Sequence, residues 1–190
     1  MTPTLSICIC SLWSRAGMLA SLLRNLEEQA ILFPGAIEIL VEVDNGELPT
    51  GTKRNILYRK ATGKYVVSVD DDDEPAPYYV EEVLKAAESD PDAVAMNGTM
   101  TTDGGQPETW DISRLNPYGM VWKSGRKRHY LRYHNHLSPI RRIIALRFPF
   151  PDKYIQEDYE FATALHKARA IKTEVKVERP MYHYKFNSKK

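Results

Sequence analysis

The four consecutive aspartates Asp70–Asp73 are the side chains of this sequence with the clearest chemical potential. Adjacent carboxylates repel one another and raise each other's pKa unless a positive charge lies among them. Hard divalent cations such as Mg²⁺ and Mn²⁺ prefer oxygen ligands of this kind. The run therefore predicts either a cation site or an acidic turn that caps the helix following Pro75 and Pro77.

The segment that leads into these aspartates is predicted to be a short buried strand. Residues 65–69 follow Gly63 and are mainly β-branched or aromatic, which is typical of such strands. Two earlier segments, Leu5–Cys10 and Ile37–Val43, have the same character, and the apolar spacing between them predicts a helix over 16–30. Strands that alternate with helices predict an α/β fold with a mainly parallel central sheet.

Parallel strands bring their carboxyl ends to one edge of the sheet, and α/β proteins bind ligands at that edge. Asp44 ends the second predicted strand and begins the turn-forming sequence Asp44-Asn45-Gly46. A short helix predicted over 53–61 then leads to the strand that ends in the aspartates. We therefore expect Asp44 and Asp70–Asp73 to lie along one crevice.

The second half of the sequence has less regular patterns. The predicted elements are a helix over 78–88, a strand over 93–100, an irregular stretch over 110–122, a basic hairpin or loop over 123–132, a helix within 136–146, a helix over 157–168 and final strands at 171–177 and 182–185. Since no repeat or linker divides the sequence, we expect one domain over residues 1–190.

Composition narrows the class of protein. With 43% hydrophobic residues in 190, the chain can bury one sizeable core. The net charge of +1 gives no global field that would favour nucleic acid or membrane, and no apolar run approaches the roughly 20 residues that span a bilayer. Cys8 and Cys10 are too close along one strand for a natural disulfide, so we expect buried thiols and a cytoplasmic protein.

Five short motifs occur in a characteristic order. They are Val43-Asp44-Asn45-Gly46, Thr52-Lys53-Arg54-Asn55, Ala61-Thr62-Gly63-Lys64-Tyr65, Val69-Asp70-Asp71-Asp72-Asp73 and Glu157-Asp158-Tyr159-Glu160-Phe161. Together with the initial βαβ unit, this series resembles the nucleotide-sugar glycosyltransferases of the GT-A fold, family 2 type. The first acidic motif departs from the family pattern, because Asn45 stands where members often carry a second aspartate.

The resemblance implies a metal-dependent inverting glycosyltransferase that uses a nucleotide sugar, expected to be a UDP-sugar, with Mn²⁺ or Mg²⁺. It implies Asp158 as the catalytic base, with Glu157 orienting the acceptor. It places Asp72 on the metal, with Asp70 and His183 as further candidate ligands. The residues expected to contact the donor nucleotide are Asp44, Lys53, Arg54, Asn55, Asp70 and Asp71.

Structural alternatives remain for these residues. Lys53 and Arg54 are also typical of an exposed helix start, and Glu157 and Asp158 of a helix cap. A lone histidine such as His183 is more often structural. A nucleotidyltransferase shares acidic sites at strand ends, although Ser11–Gly17 lacks its glycine-rich loop. A sugar- or nucleic-acid-binding module without turnover is the non-enzymatic alternative.

The acceptor is expected to contact the basic segment 123–142. This segment contains seven lysines and arginines, three histidines and two tyrosines, and we select Arg126, Lys127 and Arg128 as acceptor-binding residues. Cations interleaved with aromatic rings suit an anionic hydroxyl acceptor, such as a glycan, a lipid headgroup or a modified nucleic acid. A solvated basic face is the alternative. Residues 1–100 would form the nucleotide-binding half and 101–190 the acceptor-binding half.

Overall fold

Three parallel strands position the aspartates. In the computed structural model, which describes residues 2–123 and 127–188, β1 (Leu5–Leu12) lies between β2 (Ile37–Asp44) and β3 (Tyr65–Ser68). The helices α1 (Ala16–Ala30) and α2 (Thr50–Lys60) connect these strands. Leu12 is paired with Asp44 and Cys8 with Ser68, so β2 and β3 both end beside β1 at the same edge of the sheet.

The remaining strands extend this sheet, and three further helices lie between them in the sequence. They are β4 (Glu74–Pro75), α3 (Tyr79–Ala87), β5 (Ala93–Thr102), β6 (Glu108–Ile112), β7 (Gly119–Lys123), β8 (Lys127–Arg132), β9 (Ile140–Arg141), α4 (Arg142–Ala145), α5 (Glu157–Lys167), β10 (Glu174–Lys176) and β11 (Tyr182–Phe186). The strand order is β2-β1-β3-β9-β5-β6-β8-β7, with β10 and β11 also paired to β5 and β4 paired to β11. The expected α/β fold is confirmed.

Helices cover both faces of the sheet because side chains alternate along β1. Leu5, Ile7 and Ile9 pack in one apolar cluster with residues of α1 and α3, whereas Cys8 packs in a second cluster with residues of α2 and α5. Both cysteines are free thiols; Cys8 is fully buried, as predicted, whereas Cys10 is only partly buried. No helix within the described part of the chain is long and apolar enough to cross a membrane.

One sequence prediction for the second half was wrong, and another is confirmed only over a short segment. The stretch 110–122 is not irregular, because it contains the end of β6 and most of β7. The helix predicted within 136–146 is present, but it comprises only the four residues of α4. The preceding Ile140 is instead buried in β9, where it pairs with Val66 on one side and Ala93 on the other. Burial between two strands overrode the local helical preference.

Candidate functional site

Asp44 organises the loop that follows β2. Its carboxylate accepts hydrogen bonds from the backbone N–H groups of Gly46 at 3.0 Å and Leu48 at 2.8 Å, and pairs with Lys53 Nζ at 2.5 Å. Partial burial opposes ionisation, but the hydrogen bonds from Lys53 and the two amides lower the pKa of Asp44. The neighbouring position on β1 is Leu12, and the next residue, Trp13, is 61% exposed. An exposed aromatic residue therefore directly follows the β1 position that pairs with Asp44.

The buried cations of α2 connect the two halves of the chain. Lys53 and Arg54 are each only 3% exposed, so an exposed helix start is the wrong description for both. Arg54 donates through Nη2 to Asp70 Oδ1 at 2.7 Å and through Nη1 to Glu157 Oε1 at 2.6 Å. Burial opposes the charge on Arg54, while Asp70 and Glu157 raise its pKa. Arg54 thereby ties the end of β3 to the start of α5.

Asn55 is next to this bridge but has a different set of contacts. Its side-chain amide donates to Phe150 O at 2.8 Å, and its Oδ1 accepts the Phe150 N–H at 2.9 Å. The Phe150 ring also lies 5.6 Å from the Arg54 guanidinium carbon. Asn55 thus fixes the segment that precedes α5, because both its side-chain nitrogen and its side-chain oxygen form hydrogen bonds with the backbone of Phe150.

Asp71 and Asp72 converge on one positive charge. Arg15 Nη2 lies 2.6 Å from Asp71 Oδ1 and 2.7 Å from Asp72 Oδ2. The Ser11 hydroxyl donates to the second oxygen of Asp71 at 2.6 Å. A cavity of about 910 Å³ opens beside this pair and the first turns of α1. The two carboxylates are therefore close enough to share a cation.

Asp73 belongs to the scaffold. The Tyr182 hydroxyl accepts the Asp70 N–H at 3.2 Å and donates to Asp73 Oδ2 at 3.0 Å, and the Lys185 N–H donates to Asp73 Oδ1 at 2.8 Å. Burial, reinforced by the negative charge of Asp70, raises the pKa of Asp73 to about 8. This carboxyl group holds β11 against the end of the aspartate run.

His136 links Asp70 to Asp158. Its Nε2 lies 3.2 Å from Asp70 Oδ2, and its Nδ1 lies 3.6 Å from Asp158 Oδ2. The imidazole is buried, whereas the Asp158 side chain is 38% exposed. Burial opposes ionisation of Asp70, but His136 and Arg54 hold its pKa far below the usual range. A solvent-accessible carboxylate thus lies one imidazole away from the aspartate run.

The residue before the Glu157–Asp158 pair has an unusual backbone. Gln156 has φ 69°, in the left-handed region that non-glycine residues seldom adopt. It directly precedes α5, whose first turn carries Glu157 and Asp158. Glu157 is buried on Arg54, and that burial raises its pKa despite the guanidinium. The two acidic neighbours therefore have different environments, one enclosed and one open.

The structure does not bring His183 to the aspartates. Its Nδ1 lies 2.7 Å from Thr99 Oγ1, and its Nε2 lies 3.2 Å from Thr101 Oγ1, so both ring nitrogens contact hydroxyl groups of β5. The described residues include no group of three or more His, Cys, Asp or Glu side chains arranged to hold a metal. Asp71 and Asp72 nevertheless fit a Mg²⁺ or Mn²⁺ ion, because such ions often take one or two carboxylates and complete their shell with substrate phosphates.

A second cavity, which we call the Asp158 cavity, has a volume of about 460 Å³. Asp158 and His136 line one part of it, and the other lining residues include Trp110, Tyr118, Arg128, Tyr130, Arg132 and Tyr184. The Arg132 guanidinium carbon lies 4.8 Å from the Tyr118 ring centre and 5.0 Å from that of Tyr130. Aromatic and cationic groups therefore surround the open face of Asp158.

The described cationic residues of the basic segment 123–142 do not form one surface. Arg128 lines the Asp158 cavity and also pairs with Glu108 at 2.5 Å. Arg126 lies outside the described residues, and so does the side chain of Lys127. Arg141 instead pairs with Asp90 at 2.8 Å, and Arg142 donates to the carbonyl oxygen of Tyr58 at 3.3 Å.

Two contributors to the site were missed in the sequence. His136 was only one of three histidines in the basic segment, and Arg15 lies in the short stretch between the first predicted strand and the first predicted helix. Neither has a local signal, because each acquires its partners through contacts that are distant in sequence: His136 with Asp70, and Arg15 with Asp71 and Asp72. A search for cations able to offset four adjacent carboxylates could have singled out Arg15.

Comparisons with known proteins place this geometry in context. Residues 50–154, more than half of the chain, match the model of Glycosyl transferase family 2. Solved structures of similar fold include S. aureus TarS, with a TM-score of 0.65 and 14% identity over 96% of this chain and 36% of that one. No curated protein sequence matches the chain.

Two further structures cover residues 1–349 of S. aureus TarS. The complex with UDP-GlcNAc gives a TM-score of 0.61 at 13% identity, and the complex with UDP gives 0.62 at 14%. Each alignment covers 96% of this chain, but only 58% and 60% of the respective TarS chains. This chain thus spans less than two thirds of those proteins, and the likeness at such identities shows the fold.

Proposed function

Because the chain belongs to glycosyl transferase family 2, we propose that it moves a sugar from a UDP-sugar to an acceptor hydroxyl with inversion at the anomeric carbon. The observation that carries the proposal is the partly exposed Asp158 carboxylate, which lines a cavity and lies 3.6 Å from Nδ1 of His136, whose Nε2 lies 3.2 Å from Asp70. A base open to the acceptor thereby adjoins the aspartates proposed to meet the donor. The binding of UDP and UDP-GlcNAc by a protein of the same fold supports this choice of donor.

In this proposal the first half of the chain binds the donor. The Asp44 loop and the exposed Trp13 ring border the nucleobase, while Lys53 holds Asp44 in place. Asp71 and Asp72 would hold a Mg²⁺ or Mn²⁺ ion that offsets the charge developing on the diphosphate. Arg54 and Asn55 act by fixing the surrounding segments, as their contacts with Glu157 and Phe150 indicate.

Asp158 is the proposed base in a single displacement. The acceptor hydroxyl passes its proton to Asp158 as its oxygen forms a bond to the anomeric carbon. On the opposite face the bond from that carbon to the diphosphate breaks, and its electron pair leaves on the diphosphate. Glu157, held by Arg54, keeps the start of α5 in position for this step.

The Asp158 cavity is the proposed entrance for the acceptor. Arg128 and Arg132 line it with Tyr118 and Tyr130, a combination that suits an acceptor carrying negative charge. We retain Arg126 and Lys127 as proposed acceptor contacts beside Arg128. The division into a donor half over 1–100 and an acceptor half over 101–190 follows from this assignment.

A thermal-shift panel of nucleoside diphosphates, with and without Mn²⁺, tests the donor assignment, and hydrolysis of UDP-sugars tests turnover. UDP with Mn²⁺ is expected to raise Tm more than any other pair. Failure of all nucleotides to shift Tm would contradict the proposal. Binding of UDP without release of sugar would favour a module without turnover, whereas transfer of a nucleotidyl group would favour a nucleotidyltransferase.

Trp13→Ala is expected to weaken UDP binding by about tenfold, because stacking of one base on an aromatic ring contributes roughly 1–3 kcal/mol. Isothermal calorimetry measures the effect. Trp122→Ala is the matched control, since Trp122 is 65% exposed but lies on β7. Equal UDP affinity in both variants and the parent would remove Trp13 from the donor site.

His136→Gln is expected to lower kcat by about 10-fold, because small misplacements of reacting groups are costly, while UDP affinity stays within about twofold. The pH profile of kcat should also change, since the imidazole no longer lies between Asp70 and Asp158. His129→Gln is the control, because His129 contacts Thr109 and does not line the Asp158 cavity. A lower kcat with an unchanged pH profile would assign His136 a purely structural role.

A further inference from the structure

A cavity of about 460 Å³ lies beside the second half of α5, where Ala162, Leu165 and His166 line it, and we call it the Arg169 cavity. Its lining includes Arg114 from the loop after β6, Arg169 and Lys172 from the segment after α5, and Tyr133, His134 and His166. No Asp or Glu is among the described residues that line it. Three permanent cations therefore converge on one concave surface.

The three cations are exposed, and their side chains are not held in ion pairs with other described residues. Within the described part of the chain, no ion pair involves Arg114, Arg169 or Lys172. Two carboxylates lie beside the backbone of this region: Glu174 accepts hydrogen bonds from the Ser113 hydroxyl at 2.6 Å and the Arg114 N–H at 2.8 Å and lies 2.7 Å from His134 Nε2, and Asp92 accepts the Lys172 N–H at 2.8 Å. Burial opposes ionisation of Glu174, but these hydrogen bonds lower its pKa to about 2. An anion in the cavity would thus meet three cationic side chains that no described residue holds in an ion pair.

The backbone at Arg169 is a second indication that the side chain matters. Arg169 follows the end of α5 with φ 48°, in the left-handed conformation that usually favours glycine at this place. Arginine adopts this conformation less readily than glycine, and it adds a guanidinium suited to bidentate binding of phosphate. Arg169 therefore places a positive charge at a backbone position where glycine is the favoured residue.

Aromatic rings connect this cavity to the Asp158 cavity. The Tyr133 ring stacks on His166 with a centroid separation of 3.7 Å and an interplanar angle of 7°. The same Tyr133 ring lies 5.4 Å from that of Tyr118, which lines the Asp158 cavity. A chain-like acceptor could follow these rings from the reacting hydroxyl to the cations.

We propose that the Arg169 cavity binds a phosphate group of the acceptor, remote from the hydroxyl that receives the sugar. This proposal rests on the proposed function, since it places the acceptor between Asp158 and the cations. Arg114, Arg169 and Lys172 recognise the phosphate charge, and the stacked Tyr133 and His166 form the wall along which the acceptor passes. The site would select acceptors that carry phosphate at a fixed distance from the hydroxyl.

The first test measures the Tm increase caused by inorganic phosphate at constant ionic strength, with and without saturating UDP. Arg114→Ala/Arg169→Gly is expected to lose more than about two thirds of the phosphate-dependent increase. Arg24→Ala/Arg147→Ala removes the same charge from exposed positions elsewhere and should respond like the parent. Equal phosphate responses in all three proteins would overturn the proposal.

The single variant Arg169→Gly separates loss of phosphate binding from loss of folding. Because glycine accepts the positive φ without strain, its Tm in the absence of phosphate should equal or exceed that of the parent, while its phosphate response falls. An unchanged response in this variant would remove Arg169 from the site. UDP-dependent stabilisation, measured in the same variants, reports separately on the donor site, so failure of the two proposals can be told apart.

The second test asks whether the phosphate belongs to an acceptor. The probe is a fluorescent hexamer of abasic deoxyribose phosphodiester, and its binding is followed by anisotropy. We expect tighter binding than that of inorganic phosphate, and a loss of about tenfold in the double variant. Binding no tighter than inorganic phosphate would contradict the acceptor assignment and leave a site for the free anion.

Discussion

Asp158→Asn is expected to reduce sugar transfer by about 10²-fold or more while leaving UDP affinity within about twofold of the parent. Asparagine preserves the shape of the side chain and a possible helix cap, but it cannot accept the proton of the acceptor hydroxyl. The loss should appear in kcat, measured by release of UDP at saturating donor. Donor affinity is measured separately by calorimetry.

Glu160→Gln is the matched control for this variant. Glu160 lies in the same first turn of α5 and pairs with Lys153 at the surface, away from the lining of the Asp158 cavity. It changes the same charge next to the same helix end, so an effect on the helix alone would appear in both variants. Near-normal turnover of Asp158→Asn would reassign Asp158 to a structural role.

Asp72→Asn is expected to abolish most of the Mn²⁺-dependent stabilisation by UDP. A diphosphate that approaches Asp71 and Asp72 brings like charges together, and a bound divalent ion would offset them. The structure shows that these two carboxylates already converge on the Arg15 guanidinium. The measurement is the UDP-dependent rise in Tm with Mn²⁺ and with EDTA.

Asp73→Asn provides a control within the same run of aspartates. Burial first, and Asp70 second, raise the pKa of Asp73, and its two oxygens accept hydrogen bonds from Tyr182 and Lys185, not from Arg15. We expect the metal-linked UDP response to survive in this variant. If EDTA leaves UDP affinity unchanged in the parent, the metal-site proposal is wrong.

The first half of the fold was predictable because its signals are local. Residues 5–10, 37–43 and 65–69 are short apolar runs, and the segments between them have helical spacing, so the βαβ order could be inferred without tertiary information. The placement of Asp44 and Asp70–Asp73 at one edge of the sheet could be predicted from the parallel direction of the strands. Parallel pairing alone determines which side chains meet there.

The second half was not predictable in the same way. Ile140 lies in a two-residue strand between β3 and β5, and only its burial between partners distant in sequence explains that conformation. His136 follows the same logic, because its contacts are with Asp70 and Asp158. The buried state of Lys53 and Arg54 was also hidden, since the sequence shows two cations at a helix start but not the carboxylates that surround them.

The contacts of Asp70 couple donor binding to acceptor binding in the proposed reaction. Arg54 hydrogen-bonds both Asp70 and Glu157, and His136 lies between Asp70 and Asp158 at 3.2 Å and 3.6 Å, so polar side chains connect the end of β3 to the start of α5. A ligand bound at the aspartates can change the affinity for a ligand at α5 through these contacts. Coupling between two binding equilibria is reciprocal, so the ligand at α5 changes the affinity at the aspartates by the same factor. If the donor tightens acceptor binding by a given factor, the acceptor must tighten donor binding by the same factor.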